Sequence, residues 1–458
     1  MASYSAETVL KLIVTSSLSA LYGGYQIGVL NSSQDCIGYK LGWSEEEKES
    51  LISLLNALMP VGAVCGSAFS SKLSGSLGRR NTMMLNAIIA IGCSLMYVLP
   101  FTITFAIARF FGGFVCGLAA NSTTYNFEMS PIEVVGAYGC AFQINICTGI
   151  LIAYSMALPL PLSDFESSAW TNWVYPILLL PIVFAALQLG LLYFYFVHDT
   201  PKWLVDNGRI KDAQAILALI YTPSRAEREL DNLQPGQNDY RDDQSANSDD
   251  YMLGKESGGE VGYLDLLKRP HLKPTLIGFG LSVLSQACGI NVIIFYSTEL
   301  LKRAGGEGTV HWMTVLVGLA NLLPTFATPF IIERLGRKLM MVIGYIGMAA
   351  CNILVAYFSS INANPWLVLT CILVYLAFYE MSIGTVFWIY IAETMIDKSI
   401  GIAVGINWLT AAIVVGTLLA LLSPDALGLF GTFYFYGALC ILSLIFILVF
   451  VHESKREE

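Results

Sequence analysis

Charge is what this chain has least of. Asp, Glu, Lys and Arg make up 13% of its 458 residues, about half of the ~25% usual in soluble domains. So sparse a supply of charge excludes an ordinary soluble globular protein. Histidine is scarcer still: there are four, and no Cys/His cluster has metal-ligand spacing, so no metal is expected. The ten cysteines lie in or beside apolar runs, except Cys36, which has no partner in an outer loop, so no disulfide framework is expected. No phosphate-binding Gly-rich motif occurs, which argues against nucleotide-driven pumping. Nothing implies covalent chemistry, a cofactor, nucleic acid or an obligatory protein partner, so an enzyme is not expected. The net charge of −9 comes largely from one central loop and says little about a partner.

What is abundant is apolar sequence. Hydrophobic residues make up 55% of the chain and the mean hydropathy is +0.62. Crossing a ~30 Å hydrocarbon core takes about 20 apolar residues. Twelve such runs are present: 8–30, 51–73, 82–100, 102–124, 137–159, 172–197, 274–298, 309–332, 339–358, 365–391, 401–422 and 428–451. The first is too long for a cleavable signal peptide and has no basic leader beyond Lys11. The expected class is therefore an all-α polytopic membrane protein. Lys and Arg set its orientation, because basic residues collect in cytoplasmic loops. Lys72, Arg79 and Arg80 follow span 2, and Arg334, Arg337 and Lys338 follow span 8. With both termini in the cytoplasm, the outer loops hold only Lys40, Lys48, Lys302 and Arg303.

The twelve spans fall into two sets of six: an N-terminal bundle over 1–199 and a C-terminal bundle over 274–458, joined by 200–273. In that joining segment, Pro201 to Glu229 mixes apolar and charged residues at helical spacing. From Gln234 to Glu260 it turns to Asp, Asn, Ser, Gly and Gln, the composition of a solvated linker. The halves repeat each other. Gly78-Arg79-Arg80 after span 2 matches Gly336-Arg337-Lys338 after span 8, and Glu128-Met129-Ser130 matches Glu393-Thr394-Met395. Val197-His198-Asp199-Thr200 likewise matches Val451-His452-Glu453-Ser454.

Polar residues within the spans are costly unless used. The densest group is Ser285-Gln286-Ala287-Cys288-Gly289-Ile290-Asn291 in span 7. Together with the repeated motifs, Asp199-Thr200-Pro201-Lys202-Trp203-Leu204, Glu380…Trp388…Glu393 and Asn407-Trp408, it resembles the sugar porter family of the major facilitator superfamily, over the whole chain. That resemblance implies two pseudo-symmetric six-helix bundles around a midplane sugar site. It also implies sugar-binding roles for Gln143, Gln286, Asn291, Asn321, Glu380, Trp388, Asn407 and Trp408. Amides both donate and accept without net charge, as sugar hydroxyls require, and an indole gives a flat apolar wall. Each of these residues also has a plain reading as an interhelical contact. A gating role is expected for Tyr296 at the outer side and for Arg79, Arg80, Glu128, Glu333, Arg337 and Glu393 at the cytoplasmic side. The charged group is read as tying the halves shut when the site faces outward.

Four departures from the family pattern stand out. Gly75-Ser76 replaces the acidic or amide residue before the first Gly-Arg-Arg, and Val135 stands where arginine is usual. The basic residue after Glu393 has no clear match beyond Lys398. Span 10 lacks its usual prolines, leaving Gly384 as the main flexible point. These departures point to a cytoplasmic gate held less firmly than in relatives. Proton-driven relatives carry Asp where this chain has Gln26, and the paired glutamine of span 7 is here Ser285. The expected activity is facilitated uniport of a hexose, D-glucose first, by alternating access in the plasma membrane. The alternatives are a proton-coupled sugar or polyol symporter and a non-transporting sugar receptor.

Overall fold

The computed structural model describes residues 4–453, apart from 132, 135–137, 167, 234–265, 267, 269–270, 304–308, 362 and 424. The side chains of Glu45, Arg303, Glu333, Pro365, Asp397, Lys398 and Leu419 also fall outside the description. The acidic linker 234–260 and the Val135 position therefore lie outside the described residues. Inside hydrocarbon every backbone N–H and C=O must find its partner within the protein, so the long apolar runs become helices. Spans 1 to 3 are Ala6–Leu41, Glu45–Leu77 and Arg79–Met96. Span 4 is Thr102–Leu118 continued by Ala120–Met129, span 5 is Ala141–Met156 and span 6 is Val174–Phe194.

In the second half, span 7 is split into Leu272–Ala287 and Ile290–Arg303. Span 8 runs as Val310–Leu322 and Thr328–Leu335 through a tight turn at Leu323–Phe326. Span 9 is Arg337–Ser360, span 10 is split into Pro365–Glu380 and Ile383–Thr394, and Asp397–Leu422 and Gly428–Phe450 close the series. Among the described residues, nine of these helices are long and apolar enough to cross a bilayer. Spans 1, 3 and 5 complete the twelve-helix architecture of two six-helix bundles. Span 1 is rich in Ser, Gln and Asn because nearly all of it from Leu12 to Gly38 is buried among other helices rather than facing lipid.

Small residues set how closely the helices pack. A Cβ added at Gly24 of span 1 would lie 1.9 Å from the Ile146 carbonyl oxygen of span 5. One added at Gly113 of span 4 would lie 1.8 Å from the Met59 carbonyl of span 2. Without a hydrophobic drive between helices in lipid, such backbone contact supplies the van der Waals energy that holds a bundle together. The halves meet where span 1 faces span 7, span 2 faces span 11 and span 5 faces span 8.

Three short helices follow the first bundle: Pro201–Asp206, Ile210–Ile220 and Pro223–Leu233. Leu204, Ala213, Ile216 and Ile220 share a buried cluster with Val9, Leu12, Ile13 and Met83 of spans 1 and 3. The Ser5 N–H donates to the Ile220 carbonyl at 2.7 Å, and Arg225 grips both oxygens of Glu133 at 2.8 and 3.0 Å. The amphipathic part of the joining segment thus packs on the first bundle.

The repeat is visible as geometry. Gly78 and Gly336 take φ values of +92° and +79°, turning the chain sharply into spans 3 and 9. The Asp199 carboxylate, from the end of span 6, accepts the Arg79 and Arg80 backbone N–H groups at 3.0 and 3.1 Å. Glu453, from the end of span 12, accepts those of Arg337 and Lys338 at 2.8 and 3.0 Å. A carboxylate at a helix N-terminus satisfies free donors and meets the positive end of the dipole. Both bundles are closed at this face by one device. Asp199 is buried, and burial pushes its carboxyl above the ordinary value against the opposing backbone hydrogen bonds.

Candidate functional site

Two helix breaks make the site possible. Span 7 breaks at Gly289, whose φ of +95° suits glycine; a Cβ there would sit 2.8 Å from the Tyr436 ring. The break frees the Cys288 carbonyl, which accepts from the Tyr375 hydroxyl at 3.0 Å and from the Asn352 amide at 3.4 Å. Span 10 breaks at Met381–Ser382. Gly384 lies just after this break, in the first turn of helix Ile383–Thr394 and against the Tyr379 ring. The freed Glu380 carbonyl is taken up by the Thr385 hydroxyl at 2.7 Å and by Thr328 at 3.4 Å. One hydroxyl from the next turn and one from span 8 thus satisfy the carbonyl at the helix end, without a proline.

Between the bundles lies a small cavity of about 70 Å³. All eight residues expected to contact a sugar line it: Gln143, Gln286, Asn291, Asn321, Glu380, Trp388, Asn407 and Trp408. Ile27, Ile146, Ile150, Ile294 and Phe387 add apolar walls. Gln143 is the first bundle's polar contribution and reaches across. Its Nε2 donates to Glu380 Oε2 at 2.9 Å, and its Oε1 accepts from the Trp388 indole at 3.1 Å. On the second bundle, Asn291 Nδ2 donates to Gln286 Oε1 at 2.6 Å and Gln286 Nε2 to Asn407 Oδ1 at 2.9 Å. Asn407 Nδ2 completes the chain to Ser285 Oγ at 2.7 Å. Ser285, in the place of the paired glutamine, thus anchors the amide relay and lines the cavity itself. Asn321 Oδ1 is buried with no partner among the described residues. An orphaned buried acceptor of this kind carries a desolvation cost that a donor in the cavity would relieve.

The expected gating residues fall into different places. Arg79 binds both oxygens of Glu128, at 2.8 and 3.0 Å, and both residues belong to the first bundle. Arg337 binds both oxygens of Glu393, at 2.6 and 3.2 Å, and both belong to the second. These two pairs hold each bundle's own end together. Among the described residues, each of these two pairs joins groups of a single bundle. Arg80 donates to the Leu192 and Phe196 carbonyls at 2.7 and 2.6 Å, closing the end of span 6. Tyr296 is buried; its hydroxyl donates to the Val415 carbonyl of span 11 at 3.4 Å and faces Asn56 and Ser53 of span 2 on the other bundle. The Glu333 side chain lies outside the described residues.

The opposite face carries what sequence reasoning missed. Asn31 of span 1 crosses to span 7: its amide donates to Ser297 Oγ at 2.7 Å and to the Ile294 carbonyl at 3.0 Å, and its Oδ1 accepts the Thr298 N–H at 3.2 Å. Tyr154 of span 5 donates to the same Ile294 carbonyl at 2.6 Å. Further out, Asp35 takes Lys302 Nζ of the second bundle at 2.6 Å and Lys48 Nζ of its own at 3.0 Å. A polar asparagine near the end of span 1 was the available signal, but the second-bundle partners Ser297 and Lys302 lie more than 260 positions from Asn31 and Asp35. Buried Arg109 donates to the Gln26 and Leu55 carbonyls at 2.6 and 3.2 Å. The Gln26 side chain faces Tyr22 and Tyr97 instead.

Comparison with known proteins agrees with this architecture. Residues 11–458 match the family described as "Sugar (and other) transporter". The chain is 30% identical to a hexose transporter of Plasmodium yoelii yoelii, over 99% of this chain and 91% of that one. It is 29% identical to the facilitated trehalose transporter of Drosophila erecta, over 88% of this chain but only 45% of that longer protein. Its fold follows the proton:xylose symporter XylE bound to 6-bromo-6-deoxy-D-glucose with a TM-score of 0.81, at 24% identity, covering 99% of this chain and 98% of that one.

Proposed function

Because the chain belongs to the sugar transporter family, a family of carriers rather than enzymes, we propose that it carries out facilitated uniport of a hexose, with D-glucose the first candidate. The observation that carries this reading is the convergence of eight separately placed residues on one cavity between two bundles. Five amides and two indoles stand in the lining, among isoleucines. An amide relay offers donors and acceptors to hydroxyls without a fixed charge, and each hydrogen bond adds a net ~0.5–1.5 kcal/mol. A handful of these gives weak, reversible binding, as a carrier needs. Rocking of the bundles about the cavity would expose it to each face in turn.

The terminal face, with the Arg79–Glu128 and Arg337–Glu393 pairs, is assigned to the cytoplasm on the positive-inside pattern, and the membrane to the plasma membrane. The units are 1–199, 200–273 and 274–458, the helices up to Leu233 riding on the first. Uniport is favoured over proton symport by Gln26, which does not titrate near neutral pH. Arg109 beside it is bonded to backbone carbonyls.

Counterflow uptake in proteoliposomes with a panel of labelled sugars tests the reading. Exchange of at least one hexose is expected, with no uphill accumulation under a pH gradient. Absence of exchange for every sugar would discard carriage. Accumulation driven by the gradient would replace uniport with symport.

A further inference from the structure

We propose that Asp35 is the gate residue of the outer face: one carboxylate, shared between Lys302 of the second bundle and Lys48 of the first, latches the bundles shut on the outside. Four observations carry it. First, the Asp35–Lys302 pair joins the two bundles, whereas the Arg79–Glu128 and Arg337–Glu393 pairs each stay within one. Second, its side chains are largely withdrawn from solvent, with exposures of 17% for Asp35, 27% for Lys302 and 23% for Lys48. Withdrawal of this kind spares the pair much of the screening that weakens surface ion pairs.

Third, the latch is backed by a neutral clamp one to two turns closer to the site. There Asn31 and Tyr154 of the first bundle bind the Ile294, Ser297 and Thr298 region of span 7. Fourth, the element latched is Ile290–Arg303, the half-helix set free by the Gly289 break, so a pull at Lys302 acts on a lever hinged beside the cavity. Ile294 lies on that lever with its side chain in the cavity wall and its carbonyl in the clamp. Opening the outer mouth therefore requires Lys302 to leave Asp35 and span 7 to leave Asn31.

Lys48 has a separate part. It pairs with Asp35 from within the same bundle, so it holds the carboxylate aimed at Lys302 and keeps it partnered after the lever swings away. The released carboxylate is never stranded, which keeps outward opening accessible. Asp35 and Lys302 are thus gate residues, and Lys48 a positioning residue.

The inference rests on alternating access as proposed above, but not on which sugar is carried. Its test therefore reads conformation without sugar. In proteoliposomes of known orientation, Ile294→Cys is labelled with a membrane-impermeant thiol reagent from outside and, separately, from the cytoplasmic side, against the parent chain for background. Adding Asp35→Asn should raise outside labelling several-fold and lower cytoplasmic labelling in step. Lys302→Met should do the same, and the double substitution should go no further than either single one. Lys302→Arg should stay close to the parent.

Unchanged outside labelling in both single variants would overturn the proposal, as would additive effects in the double. Labelling that rises from both sides would also overturn it, because that marks a loosened fold rather than a released gate. Loss of sugar exchange with the reciprocal labelling intact would count against the proposed substrate and leave the latch standing.

Discussion

At the scale of single residues, the cavity separates groups that serve the ligand from groups that also serve the protein. Asn321 Oδ1 has no partner among the described residues, while the Asn407 amide bonds Gln286, Ser285 and the Ser282 carbonyl. Asn321→Ala should weaken sugar binding by about 2- to 10-fold, the equivalent of one net hydrogen bond, with the melting temperature hardly changed. Asn407→Ala should weaken binding and also lower the melting temperature, since it removes the hydrogen bonds to Gln286 Nε2, Ser285 Oγ and the Ser282 carbonyl. Equilibrium binding and thermal unfolding of the two variants side by side check the pair; equal destabilisation by both would remove the distinction. The resemblance reached these residues by motif. Which of them had spare hydrogen-bonding capacity was not legible, because that depends on neighbours from spans 7, 10 and 11 meeting across the bundle.

At the scale of elements, both breaks are held open by captured carbonyls. Gly289→Ala forces a side chain into a φ of +95° and to within 2.8 Å of the Tyr436 ring. Strain of this kind costs about 1–3 kcal/mol, and the added atom would press directly on span 12. The expected outcome is a lower melting temperature together with slowed exchange, measured by thermal unfolding and counterflow; a variant with unchanged exchange would deny the break its role as the hinge. At span 7 the sequence offered one signal, Gly289 lying between the two amides of an apolar run. The span 10 break falls at Met381–Ser382, just before the Gly384 that stands out in the sequence, where Thr385 and Thr328 take up the Glu380 carbonyl. Thr328 is on another span, so sequence spacing gave no sign of it.

At the scale of the whole molecule, the two faces are built differently. On the terminal face, Arg79 and Glu128 are nearly buried, at 7% and 5% exposure. Removing one partner of a buried pair leaves a stranded charge and costs about 3–5 kcal/mol, while removing both costs less. Arg79→Met or Glu128→Gln should each reduce the yield of folded protein in detergent more than the double substitution does, as read by size-exclusion chromatography. On the opposite face, burial alone would raise the Asp35 carboxyl, but Lys302 and Lys48 outweigh it and hold the group below its ordinary value. A carboxyl lowered in the folded state contributes its stabilisation above the unfolded value, ~3.9 for Asp, and loses it as pH falls through the lowered one. Spin-label distances across the outer mouth should therefore stay constant from about pH 5 to 8. They should lengthen only under strongly acid conditions, below the ordinary carboxylate range. Widening already at pH 6 would mean that a different group controls the mouth.

The sequence by itself determined the class and the architecture. Charge scarcity and twelve apolar runs require a membrane-spanning helical protein, and three motif pairs in one order require two equivalent bundles. It also determined the polar inventory of the cavity, because amides in hydrocarbon are rare enough to mark a use. Only the tertiary structure decided how those groups are paired. Arg79 and Arg337 were free, as sequence, to reach either bundle, and each turned to the carboxylate of its own. Asp35 and Lys302 looked like ordinary outer-loop charges until folding set their side chains 2.6 Å apart. Periodicity is a local property and survives in one dimension; an ion pair between bundles depends on two segments arriving together, and no local pattern records that.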